Sequence, residues 1–154
     1  MAGFFCDSSA IVKRYVNETG SNFVDGLADL KSGNVILLAR ITRVEVVAAI
    51  ARRLKNGSVS AADAQNAVAA FQHDLTNNYF TVEITPVLLS VAMSLATRHA
   101  LRGYDAVQLA AALEANDERI ATGLPPLTLV SADTDLNTVA QTERLNVENP
   151  NNYP

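Results

Sequence analysis

Phe4-Phe5-Cys6-Asp7-Ser8-Ser9-Ala10-Ile11-Val12 is a short apolar run stopped by a carboxylate, two hydroxyls and the start of a second apolar pattern. Phe4 to Cys6 reads as a buried strand. Ile11, Val12, Tyr15 and Val16 then recur at helical spacing. Asp7 therefore stands where a strand ends and a helix begins. In open α/β sheets that carboxyl edge is where ligands bind. Asp and Ser are also the preferred helix N-cap residues, and a cap explains Asp7 without any chemistry. The remaining chain has to be weighed against both readings.

Beyond Asn17-Glu18-Thr19-Gly20, a turn by composition, a second helix is expected over residues 22–30, with Phe23, Val24, Leu27 and Leu30 inward. Val35-Ile36-Leu37-Leu38 is apolar without alternation, as in a strand covered on both faces. Thr42 opens a helix to about Lys55 with a seam of Val47, Ile50 and Leu54. Ser60 caps another to about Thr76, and the two read as a helical hairpin. Residues 79–84 form a third strand, and Pro86 starts a helix to about Ala100. After Leu101-Arg102-Gly103 an Ala/Leu-rich helix covers residues 104–115. Residues 127–130 are a fourth strand, 133–143 a last helix, and 146–148 a short edge strand. Strands alternating with helices predict a three-layer α/β/α sandwich around a small, mostly parallel sheet. One domain is expected over residues 1–148, with a polar tail at 149–154.

The length of 154 residues suits a single core, and a hydrophobic fraction of 49% excludes a disordered chain. No apolar run reaches the ~20 residues that span a bilayer. Cys6 is the only cysteine, which excludes an internal disulfide. With no basic-then-apolar leader at the N-terminus, a cytoplasmic protein is the expectation. The net charge of −4 is unevenly spread: residues 1–58 carry eight Lys/Arg against five Asp/Glu, and residues 59–154 four against eleven. The acidic total argues against broad attraction to nucleic acid, and the locally basic half weakens that objection.

Four carboxylates occupy telling places. Asp7 follows strand one, Glu45 lies in the first turn after strand two, Asp105 opens the Ala/Leu-rich helix, and Asp133 follows strand four. A parallel sheet puts the ends of strands one, two and four on one edge, with Asp105 able to join from its helix. Each acid also has a purely structural reading. Thr42-Arg43-Val44-Glu45 fits a capping box, Asp105 with Gln108 could form another, and Asp133 and Asp135 could cap the last helix. Glu45 shares a helical face with Ile41, Ala48 and Ala49, which points it into a cleft.

Clustered carboxylates repel, at ~4 kcal/mol for a pair 4 Å apart in a dielectric near 20, so they need protons or a cation. All-oxygen ligands suit Mg²⁺ or Mn²⁺. Zinc is not indicated, since His73 and His99 have no ligand spacing with Cys6 or each other. No glycine-rich phosphate loop and no Gly-x-Ser-x-Gly elbow is present. Hard cations can activate water against a phosphodiester. Lys13, Arg14, Arg40, Arg43 and Arg102 flank the acids in sequence and are the expected phosphate contacts.

On these segments the chain resembles the PIN-domain ribonucleases, and among them the VapC-type toxins of toxin–antitoxin pairs. The matching residues are Phe5 to Tyr15, Thr42-x-x-Glu45, Leu101-Arg102-Gly103-Tyr104-Asp105-Ala106-x-x-Leu109-Ala110 and Leu129-Val130-Ser131-Ala132-Asp133-x-Asp135-Leu136. The resemblance implies a Mg²⁺/Mn²⁺-dependent endoribonuclease. Asp7, Glu45, Asp105 and Asp133 would hold metal, Asp135 would assist through water, and Ser131 would orient the acids. Ser9 stands where the family keeps a hydroxyl beside its first Asp. The implied partners are RNA in an unpaired or loop region, an antitoxin protein and a second copy of the chain, with no membrane. Two rivals remain. A non-cleaving PIN-like binding module would show a lost acid, and none is lost. A metal-dependent phosphatase of the haloacid dehalogenase type would need Asp where Ser9 stands.

Overall fold

The computed structural model describes all residues, Met1–Pro154. Five strands form one fully parallel sheet: β1 (Gly3–Cys6), β2 (Val35–Ala39), β3 (Tyr79–Val82), β4 (Thr128–Val130) and β5 (Asn146–Glu148). Their order is β3-β2-β1-β4-β5, with Phe5 opposite Leu37 on one side and Leu129 on the other. The opening stretch thus supplies the central strand.

Side chains alternate between two cores, as a strand's period of two requires. Phe5, Ala39 and Leu129 face one core, and Cys6, Ile36, Leu38 and Val130 the other. The first core is closed by α5 (Pro86–His99), α6 (Gly103–Ala121) and α7 (Thr134–Thr142). Ala106, Ala110, Ala111 and Ala115 let α6 lie close against the sheet and α5. The second core is closed by α1 (Ser8–Ile11), α2 (Ser21–Ala28), α3 (Thr42–Lys55) and α4 (Ala61–Asn77). This is the expected α/β/α sandwich, and the sheet is parallel throughout. None of the helices is long and apolar enough to cross a membrane.

Three local expectations need correction. The second helix ends at Ala28, and Leu30 is exposed in the following 3₁₀ turn, where Asp29 caps a new start through Lys31 N–H. The seam of α3 is Val46 and Ile50, while Val47 and Leu54 are exposed. Buried Thr42 stands on the same face, four residues before Val46 and eight before Ile50. Finally, α6 runs six residues beyond the expected 115, to Ala121. Its late turns are anchored by buried Arg119, which donates to the carbonyls of Pro125 and Met1.

The polar tail folds back over α2. Tyr153 stacks on Phe23 at 4.1 Å, and its hydroxyl donates to Glu148 at 2.8 Å. Buried Pro150 packs against Gly20, whose φ of +87° disfavours a side chain and where an added Cβ would stand 2.5 Å from the Pro150 carbonyl oxygen.

Candidate active site

The carboxyl ends of β1, β2 and β4 deliver three of the four acids to one edge, and the first turn of α6 delivers the fourth. Asp7 is the most enclosed, at 4% exposure. Its Oδ1 accepts from the Ser9 hydroxyl at 2.7 Å and the Ala10 N–H at 3.0 Å. Its Oδ2 accepts from Ser131 Oγ at 2.7 Å. Ser9 Oγ in turn accepts from Ala132 N–H, and Ser131 Oγ from Asp133 N–H. Two serines therefore clamp one carboxylate and tie the end of β1 to the end of β4. Burial raises the Asp7 pKa to about 6, against the pull of its donors, and the nearby Glu45 charge adds to the rise.

Glu45 is held from two sides. Ser8 Oγ donates to Oε2 at 3.0 Å, and Gln108 Nε2 donates to Oε1 at 2.7 Å. The same Nε2 also reaches Thr42 Oγ1 at 2.9 Å. The capping box that Thr42 and Glu45 could have made is not formed; α3 starts without a side-chain cap, and Glu45 turns to α1 and α6 instead. Asp133 does cap α7, accepting from the N–H groups of Asp135 and Leu136. Capping and clustering thus coexist at Asp7 and Asp133, while Asp105 and Glu45 cap nothing. Arg102 spans Asp105 and Asp133, at 3.1 Å to each. Burial and the Asp133 charge still push Asp105 upward.

No three acids come within coordinating range of a single ion. Arg102 bridges the outer pair, Asp105 and Asp133, and offsets their mutual repulsion. The donor chemistry nevertheless fits a hard divalent ion: oxygen only, from Asp7, Glu45, Asp105 and Asp133, along one sheet edge. Asp135 is exposed on the outer side of this row.

The expected phosphate contacts fare differently. Lys13 is buried and committed, with Nζ on Glu18 at 3.0 Å and on the Thr19 carbonyl at 2.9 Å. Arg14 turns away from the acids to Asp74 and Asp25. Arg40 pairs with Glu83 on β3's loop, and Arg43 donates to Thr81. Only Arg102 of this group stands among the carboxylates. Residues next to one another in sequence need not share a neighbour, because successive side chains on a helix point in different directions.

Four residues not assigned to the site take part in it. Ser8 and Gln108 hold Glu45, and Asn137 Nδ2 fixes the Ser131 carbonyl at 2.8 Å. Tyr104 lines the cleft. Gln108 had a signal, three residues after Asp105, but its partner lies on another helix. The cleft has a volume of about 600 Å³ and includes Ser8, Ser9, Ile41, Glu45 and Ala48, so the face expected to turn Glu45 inward does so.

Comparison with known proteins agrees with this architecture. The PIN domain pattern matches residues 4–141. Ribonuclease VapC45 of Mycobacterium tuberculosis is 35% identical over 113 residues, covering 73% of this chain and 76% of its own. Among solved structures, M. tuberculosis VapC20, a toxin that cleaves the sarcin–ricin loop, superposes with a TM-score of 0.61 at 17% identity, covering 88% of this chain and 93% of its own. VapBC2 from Rickettsia felis, bound to a DNA fragment from its promoter, gives 0.60 at 14% identity, over 96% and 98% of the two chains. With its central strand, its four acids in order and its full-length fold, the chain belongs to the PIN-domain family, among the VapC-type ribonucleases.

Proposed function

We propose that the protein is the toxin of a toxin–antitoxin pair, an endoribonuclease that hydrolyses RNA phosphodiesters with Mg²⁺ or Mn²⁺ held by Asp7, Glu45, Asp105 and Asp133. The observation that carries this reading is the buried Asp7 carboxylate, clamped by Ser9 and Ser131 on the edge where the other acids gather. A buried carboxylate held by hydroxyl and amide donors, with no cationic partner of its own, is suited to a metal rather than to a structural ion pair. When bound, such an ion supplies an activated water and charge for the leaving oxygen.

The protein's own groups do the rest. Ser9 and Ser131 fix both Asp7 oxygens, and Ser8 and Gln108 fix both Glu45 oxygens, so these ligands need little reorganisation. Asp135 stands outside this set and would act through water. Arg102 is 80% exposed at its side chain and pairs with Asp105 and Asp133; with a cation held by those acids, its guanidinium would be available to a phosphate. Unpaired RNA is the expected substrate, because its backbone can bend into a cleft closed to a stiff duplex.

The antitoxin partner is inferred from the company of VapBC complexes. A homodimer is supported by Val87 and Val91, exposed one turn apart on α5, with Phe80 and Met93 also exposed. The expected location is the cytoplasm.

The test is cleavage of a structured RNA with a single-stranded loop. Wild type should cut with Mn²⁺ and stop with EDTA, and Asp105→Asn should lose at least about 100-fold in rate, the scale on which outer partners alone cost 10–100-fold. Cleavage that survives EDTA would overturn the metal assignment.

A further inference from the structure

The cleft does not end at the carboxylates. It continues along α3, where its lining changes character. Val44 and Tyr104 are exposed by 69% and 62% although both are large and apolar. Both line the cleft with Glu45, so apolar surface from two different helices flanks that acid. No other aromatic ring stacks on Tyr104.

Three cations line the same cleft, Lys13, Arg52 and Arg53. Lys13 and Arg53 share the one carboxylate of Glu18, at 3.0 and 2.6 Å, which holds both side chains in place. Arg52 makes no ion pair and is exposed. It lies two helical turns after Glu45, about 10 Å along α3.

An uncovered ring beside the acids and one unpaired guanidinium further along suit a nucleotide chain. Aromatic rings take unstacked bases, and guanidinium takes phosphate. An apolar peptide would cover Tyr104 and Val44 but leave the Arg52 guanidinium without an anion. Resting on the ribonuclease reading above, we propose that Tyr104 stacks on a base of single-stranded RNA beside the scissile phosphate, while Arg52 holds a backbone phosphate further along the cleft. This replaces Lys13, Arg14, Arg40 and Arg43 as the binding set. With so few free cations on an acidic chain, stacking has to supply much of the affinity.

The experiment is steady-state cleavage of a mixed-sequence, unstructured RNA oligonucleotide by the full chain with Mn²⁺, across a salt series. Tyr104→Ala should raise KM about tenfold with kcat little changed, from ~1–3 kcal/mol of stacking. Tyr104→Phe should remain close to wild type. Arg52→Ala should lower the salt slope of kcat/KM by about 0.7, one phosphate contact on a single strand. Both side chains are exposed, and unchanged melting temperatures would confirm intact folds. If wild type cuts while Tyr104→Ala keeps its KM, or Arg52→Ala its salt slope, this proposal fails and the ribonuclease reading stands. If wild type cuts no RNA under any of these conditions, both fail.

Discussion

Asp7 serves two purposes at once. It caps α1 through the Ala10 N–H, and it presents a carboxylate raised to about 6 by burial. In the unfolded chain the same group titrates near its ordinary 3.8. Between those values the folded state holds the proton and the unfolded state has lost it. The Asp7 contribution therefore stabilises at low pH and is lost as pH rises through about 6, amounting to as much as ~3 kcal/mol. Asp105 is shifted in the same direction. Carboxylates with lowered values, such as Glu18 held by Lys13 and Arg53, oppose this trend, so the clean quantity is a difference. In EDTA, Asp7→Asn should gain stability over wild type as pH goes from 4.5 to 7.5, because Asn keeps the cap without the buried charge. Melts that show the two chains in parallel across that range would contradict it.

Between elements, Gln108 matters most. One amide nitrogen on α6 bonds both Glu45 and Thr42 on α3, while its buried Oε1 has no partner. A buried carbonyl without a donor is costly, so this contact is not there for stability alone. Gln108→Leu removes the unsatisfied oxygen together with two hydrogen bonds, leaving the melting temperature within a few degrees of wild type. Cleavage or Mn²⁺ affinity should fall about 10–100-fold, as for partners that orient a metal ligand. A loss of activity matched by a large loss of stability would make Gln108 a packing residue instead. The same helix pair shows how an element was legible and its contact was not. The Ala-rich run announced α6 as buried, but not that Gln108 in its second turn would face α3.

Across the whole molecule, repulsion along the carboxyl edge of the sheet is held off by serines, an amide and one arginine. An ion that binds the folded state alone should relieve it and stabilise by mass action. At a hundredfold excess over its dissociation constant the gain is ~2.7 kcal/mol, or a rise of roughly 5–10 °C for a chain of this size. Differential scanning with Mn²⁺ should show that rise for wild type and lose most of it for Asp105→Asn. An equal rise in both would place the ion elsewhere.

The amino-acid sequence by itself determined the layer order and the sheet edge. Continuous apolar runs cannot be solvent-facing strands, and helical periods between them leave a parallel sheet as the economical solution. It also placed Asp7, Glu45, Asp105 and Asp133, because strand ends and helix starts are local signals. Only the tertiary structure decided what those acids touch. Ser131 reaches Asp7 across 124 positions of sequence and Gln108 reaches Glu45 across 63, and no local pattern encodes such meetings. The same holds for the cations. Lys13 and Arg14 stand beside each other in sequence, yet one is buried on Glu18 and the other bonds Asp74, while Arg52 is left free. Charge type is written in the residue; whether a charge is already spent depends on which distant carboxylate the fold brings to it.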